Sequence, residues 1–136
     1  MSNQILTKQA KIVSWIAQVI AAGILAMQSF FKLTSSPESI ALFEILAVEP
    51  WGRYLVGLGE LLATILLLTP RTAGYGGLLA MVIMMGAIAT HLLLIGINYG
   101  GGIFYQAVVV LLAALAIVTI RRPKVLGLGA TRRPAG

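Results

Sequence analysis

Four long apolar runs leave this chain few ways to fold. They cover Ile12 to Phe31, Trp51 to Leu68, Tyr75 to Ile97 and Ile103 to Ile120. A helix crosses bilayer hydrocarbon in roughly 17–25 residues, so each run is long enough for one span. Strands of a membrane barrel alternate apolar and polar residues, and these runs do not. The pattern predicts an all-α integral membrane protein, a four-transmembrane-helix bundle over residues 12–120. Composition points the same way. Of the 136 residues, 59% are hydrophobic and 10% charged, where a soluble domain carries about a quarter charged. Such a surface excludes a large soluble enzyme and a disordered chain. The net charge of +6 does not read as nucleic-acid binding, because the bases flank the apolar runs. The lipid bilayer is the predicted partner, with other membrane subunits or a second copy of the chain beside it.

The first run follows Lys8 and Lys11, as a signal peptide would, but it exceeds the roughly 7–15 apolar residues of a signal core and reads as a retained span. Placing both termini in the cytoplasm puts Lys8, Lys11, Arg71, Arg121, Arg122, Lys124, Arg132 and Arg133 inside and leaves only Lys32 and Arg53 outside. That is the positive-inside bias, and it implies a multi-pass protein of the cell membrane. Residues 1–11 form the cytoplasmic N-terminus. Residues 121–136 form a basic, Gly- and Pro-containing tail, read as disordered and lying against anionic headgroups.

Thr69 to Gly74 is short enough to join the second and third spans as a hairpin, and Asn98 to Gly102 joins the third and fourth. The first outer loop is longer. Within it Ser36-Pro37-Glu38-Ser39 carries a helix-start signal, with Pro37 at the first helical position. A short surface helix follows. The spacings Ala17-x3-Ala21, Ala22-x3-Ala26 and Gly86-x3-Thr90 permit close helix approach.

Polar residues inside the spans are the candidate functional groups. Glu60 lies about nine residues below Trp51, roughly 13 Å at ~1.5 Å per residue. A charged acid at that depth costs about 2.5–3.5 kcal/mol on insertion scales, so it must be protonated, paired or beside water. Arg53, Gly57, Glu60 and Thr64 share one helical face, which allows an Arg53–Glu60 ion pair. Arg53 reaching headgroups is the alternative. His91, the one histidine, lies roughly 9 Å inside the outer end of the third span. It reads either as a helix contact or as a proton-exchanging group. Gln28 and Lys32 sit four apart at the outer end of the first span, and Gln106 near that of the fourth. Every span thus carries a polar group in its outer half, while the inner halves look almost purely apolar. These residues predict an outward-facing pocket bounded by Lys32, Glu60, His91 and Gln106, the alternative being a local partner for each group. Trp51, Tyr54, Tyr75, Tyr99, Phe104 and Tyr105 form an interfacial belt, in which Tyr99 and Tyr105 are placed to flank a quinone head. The chain has no cysteine, which excludes dithiol catalysis and thiolate-held zinc or iron–sulfur clusters. One histidine cannot supply both axial ligands of a b-type haem, and no metal site is read.

Several segments resemble the DoxX family, in particular its short DoxX-like branch. They are Phe31-Lys32-Leu33, Pro50-Trp51-Gly52-Arg53-Tyr54, Gly57-x-Gly59-Glu60-Leu61, Leu66 to Arg71, and Gly86 to His91. The resemblance runs from about Phe30 to Leu94. It implies a four-helix membrane protein with a link to redox physiology: some relatives are subunits of a thiosulfate:quinone oxidoreductase, and others accompany oxidative-stress partners. Two functions follow as expectations. One is a subunit of a quinone-linked redox system. In it Glu60 and His91 carry protons, Gln28, Lys32, Arg53, Thr64 and Gln106 line the substrate or quinone pocket, and no cofactor is intrinsic beyond a bound quinone. The other is a non-catalytic accessory, scaffold or assembly subunit. A transporter is disfavoured, since no inverted repeat or broken span is visible.

Overall fold

The computed structural model describes residues 7–122. Helix α1, Lys8–Leu33, starts where the Thr7 side chain accepts a hydrogen bond from the Ala10 amide (3.0 Å), a standard N-cap. It therefore begins before the apolar run and takes in Lys8 and Lys11, which the sequence reading left in the N-terminus. Helix α2, Pro37–Ile45, is the predicted surface helix: Ser36 caps the Ser39 amide and Pro37 opens the first turn. Helix α3, Trp51–Leu68, matches its apolar run. A 3₁₀ turn, Pro70–Thr72, leads into α4, Ala73–Thr90, which widens into a π turn at His91–Ile95. That turn stops at Gly96, whose φ of 88° only glycine adopts cheaply. The continuous helical stretch containing the third apolar run, Tyr75 to Ile97, is Pro70–Ile95. Helix α5 covers Ile103–Arg121, one residue into the predicted tail; residues 123–136 lie outside the described chain.

Consecutive long helices run antiparallel. Helix α1 packs on α3 and α5, and α4 packs on the same two, so α1 and α4 occupy opposite corners of a four-helix bundle. One end of the bundle carries the start of α1, the α3–α4 hairpin and the end of α5. This is the basic end. The other, the loop end, carries α2 and the turn before α5. All four long helices are apolar and long enough to cross a membrane. Among the described residues there is no strand.

The core is made of small side chains. Ala21, Leu25, Ala63, Leu67, Ala73, Ala80, Val110, Ala114 and Ile117 are fully buried. The large apolar residues point outward instead: Leu55, Val82, Leu93 and Leu112 are all at least 60% exposed. A water-soluble protein does not expose apolar surface on this scale. In lipid the driving force for helix association is close packing, which small residues allow. Gly76 makes the tightest approach to backbone. A Cβ there would stand 2.7 Å from the Leu67 amide nitrogen, within the α3–α4 hairpin. Of the predicted small-residue pairs, Ala17 and Ala21 are buried at helix contacts. Gly86 is not: nothing lies within 4 Å of where its Cβ would stand, so Gly86-x3-Thr90 packs no helix here.

Threonine hydroxyls within the spans are satisfied on their own helices. Thr64, Thr90 and Thr119 each donate to the carbonyl four residues earlier at 2.8 Å. This back-bonding removes a donor that lipid would leave unpaired.

Candidate functional site

The loop-end half of the bundle is built around Lys32 of α1. Its Nζ lies 3.1 Å from Glu60 Oε1 and donates to Glu60 Oε2 (3.2 Å) and to Gln28 Oε1 (3.2 Å). Gln28 Nε2 in turn donates to Gln106 Oε1 of α5. Lys32 and Glu60 are 8% and 2% exposed. The ion pair is therefore withdrawn from water, and its attraction acts in a low dielectric. Side chains on a helix lean toward its N-terminus. Helices α1 and α3 are antiparallel, so Lys32 leans into the bundle while Glu60 leans toward the loop end, and they meet. Close approach of the two backbones is set by Gly57, where a Cβ would stand about 3.0 Å from the Leu33 side chain and 3.1 Å from Lys32 Cβ. Ser29 fixes the contact by donating to the Gly57 carbonyl (2.9 Å).

Arg53 does neither of the things its helical face suggested. It does not pair with Glu60 and does not reach outward to headgroups: it is 3% exposed. Its Nε and Nη2 donate to the two carboxylate oxygens of Glu49 at 2.8 Å each. Its Nη1 donates to the Lys32 carbonyl (2.6 Å) and to Ser35 Oγ (2.9 Å). The guanidinium also lies over the Tyr54 ring, 4.4 Å from its centroid. Glu49, one turn earlier, is closer than Glu60 and offers a bidentate fit. Its carboxyl is held below the usual carboxylate range by those hydrogen bonds. Arg53 thus clamps the α2 loop onto the ends of α1 and α3 and does not line a pocket with Glu60. Thr64 spends its hydroxyl proton on the backbone carbonyl of Glu60 and makes no bond to the side chains of the cluster.

His91 is also buried, 3% exposed, on the helix opposite α1. It forms no hydrogen bond with Lys32, Glu60 or Gln106. Its Nδ1 lies 2.9 Å from the Ala87 carbonyl. A carbonyl can only accept, so Nδ1 carries a proton, and in the neutral ring Nε2 then presents a lone pair. That Nε2 is buried without a partner. Its ring sits 5.6 Å from the Phe104 ring, and the π turn that starts at His91 is the kind of helical irregularity often found at functional positions. Glu60 Oε1, although close to Lys32 Nζ, likewise has no aligned hydrogen-bond donor. The structure therefore joins Gln28, Lys32, Glu60 and Gln106 into one network across three helices and leaves His91 on the fourth with an open acceptor. Tyr105 is 55% exposed at the loop end of α5, as a belt residue would be.

The inner halves are less apolar in structure than in sequence. Ser14 and Gln18 are fully buried. Ser14 Oγ donates to Gln18 Oε1, and Gln18 Nε2 donates to the Leu67 carbonyl (2.7 Å). Arg121 Nε, from the end of α5, donates to Ser14 Oγ (2.9 Å) and Gln18 Oε1 (3.2 Å). A signal for this second network exists in the sequence. Ser14 and Gln18 lie on the stripe that continues through Ala21, Leu25, Gln28 and Lys32, at the i, i+4, i+7 spacing of a buried face.

The DoxX-like family model matches residues 16–119. The chain belongs to the DoxX-like family. The match takes in all of α2, α3 and α4 and most of α1 and α5, with every residue of the loop-end network and His91 inside it. It establishes a small multi-pass membrane protein. No curated protein and no solved structure matches the chain.

Proposed function

We propose that this DoxX-like protein is a membrane subunit of a quinone-linked redox system. The observation that carries the reading is the buried His91 Nε2 without a hydrogen-bond partner, in the same half of the bundle as the Lys32–Glu60 pair, whose Glu60 Oε1 faces the ammonium at 3.1 Å but takes no aligned hydrogen bond. A buried acceptor left unpaired costs about 1–3 kcal/mol, a cost that a ligand hydroxyl would remove. A quinone takes up two electrons and two protons when reduced, and its head bears two oxygens that accept hydrogen bonds when oxidised and donate them when reduced. The side chains fit both forms. The Lys32 ammonium can donate to a carbonyl, while His91 Nε2 and Glu60 Oε1 can accept from hydroxyls. Glu60 and His91 are the groups able to hold the protons exchanged with the site. The electrons come from a partner or a small oxyanion, since the chain has no thiol to supply them.

A specific observation favours the accessory-subunit reading as well. The network from Lys32 to Glu60 and from Gln28 to Gln106 ties α1 to α3 and α5, which is what a purely structural device would do. Purification in mild detergent separates the two. The redox reading predicts quinone in the organic extract, lost in His91→Ala; that variant gives up the ring packing on Phe104 and should melt lower while staying folded, because His91 hydrogen-bonds no other helix. Copurified protein partners with quinone no higher than in the membrane lipids, in both proteins, would overturn it in favour of the accessory role.

The orientation we infer has both termini in the cytoplasm and the protein in the cell membrane. The two loop-end bases are neutralised internally by Glu60 and Glu49, whereas Lys8, Lys11, Arg71, Arg121 and Arg122 at the basic end have no acidic partner among the described residues. Reporter fusions at Gly136 and within Asn98 to Gly102 should read opposite sides, the former cytoplasmic. Same-side signals would contradict the placement.

A further inference from the structure

Arg121 is turned inward where a surface arginine would extend to water. It is partly buried between α1 and α5, its Nε held by Ser14 Oγ and Gln18 Oε1. Both of those side chains are fully buried, and Gln18 is itself anchored on the Leu67 carbonyl. The guanidinium is thus aimed by two neutral groups that cannot balance its charge. Its Nη2 is buried and has no hydrogen-bond partner among the described residues. No carboxylate side chain can supply one. The four acids of the chain are Glu38, Glu44, Glu49 and Glu60, which lie in or beside the loop-end half, and residues 1–6 and 123–136 contain none. A charged donor set fixed in orientation, with no counter-charge among the described residues, lies at the end of a spanning helix, the level of the headgroups. Arginine's planar fork matches a phosphate, and basic pockets between spanning helices are where acidic headgroups bind.

We propose that the seam between α1 and α5 at the basic end is a binding site for the phosphate of an anionic phospholipid headgroup, with Arg121 as the ligand and Ser14 and Gln18 as positioning residues. Arg122, the next residue, is exposed; its Nε donates only to the Thr119 carbonyl (3.1 Å), so it contributes general charge and not the site. The proposal does not depend on the redox reading.

The test is native mass spectrometry of the full chain released from nanodiscs of phosphatidylglycerol mixed with phosphatidylcholine. The wild type should retain one phosphatidylglycerol in preference to phosphatidylcholine. Arg121→Gln should lower that preference by clearly more than the roughly fivefold general factor for one basic side chain near an anionic surface, and Arg122→Gln by no more than that factor. Ser14→Ala, which keeps the charge but loosens its aim, should lower it by a smaller factor. This variant decides the matter if Arg121→Gln does not fold. Equal losses in the two arginine variants, or no effect of Ser14→Ala, would show diffuse surface attraction and overturn the site. Displacement of the retained lipid by millimolar inorganic phosphate would overturn the lipid as the natural source of the phosphate.

Discussion

Lys32→Met should destabilise the bundle by about 3–5 kcal/mol, the usual loss when one partner of a buried ion pair is removed. Methionine keeps the length of the side chain, so what disappears is the ammonium. Glu60 is 2% exposed and has no other base beside it, because Arg53 is committed to Glu49. The Gln28 amide also loses the donor to its Oε1. Glu60→Gln should cost less, since the amide still accepts from Lys32. The combined variant Lys32→Met with Glu60→Gln should be more stable than Lys32→Met alone, because no unpaired charge remains. Unfolding of the purified protein in mixed micelles measures all three. Strictly additive losses in the double variant would mean that the two side chains do not interact energetically, against the 3.1 Å contact.

The second large effect is steric. Gly76→Val should lower stability by about 1–3 kcal/mol or more, the range for overpacking a tight contact. The added Cβ alone meets the backbone at Leu67 and Leu66, at 2.7 and 3.0 Å, and backbone cannot rotate away as a side chain can. Gly86→Val is the control on the same helix. Nothing lies within 4 Å of its Cβ position, and the new side chain enters lipid, so its change should stay within about 0.5 kcal/mol. Thermal melts of the two variants under one condition give the comparison. Equal shifts would mean that helix propensity, not the hairpin contact, dominates at Gly76.

The spans were legible in sequence because lipid imposes a length and a composition that few soluble helices meet. Trp51–Leu68 was readable to the residue, since Pro50 and Pro70 bracket it. The ends of α1 were not, because a polar N-cap at Thr7 carries the helix past the apolar run. The Lys32–Glu60 pair was half legible. Both residues were conspicuous as charges in apolar runs, but the helical face of Glu60 pointed equally to Arg53. What decides is a residue in the loop, Glu49, whose bidentate bond to Arg53 depends on how the chain turns before α3. The network of Ser14, Gln18 and Arg121 joins residues more than a hundred positions apart and becomes visible only when α5 is laid against α1. His91 was visible as a single polar residue, yet its open Nε2 follows from the hydrogen bond that its own helix makes to Nδ1.

The proposed quinone head in the loop-end half of the bundle is open to photo-crosslinking of the membrane-embedded protein with an azido-quinone, followed by peptide mapping. Label is expected on the segments around Lys32, Glu60 and His91 to Gln106, suppressed by an excess of unlabelled quinone and diminished in His91→Ala. Label spread over outward-facing residues such as Val82 and Leu112, and unaffected by competing quinone, would contradict it.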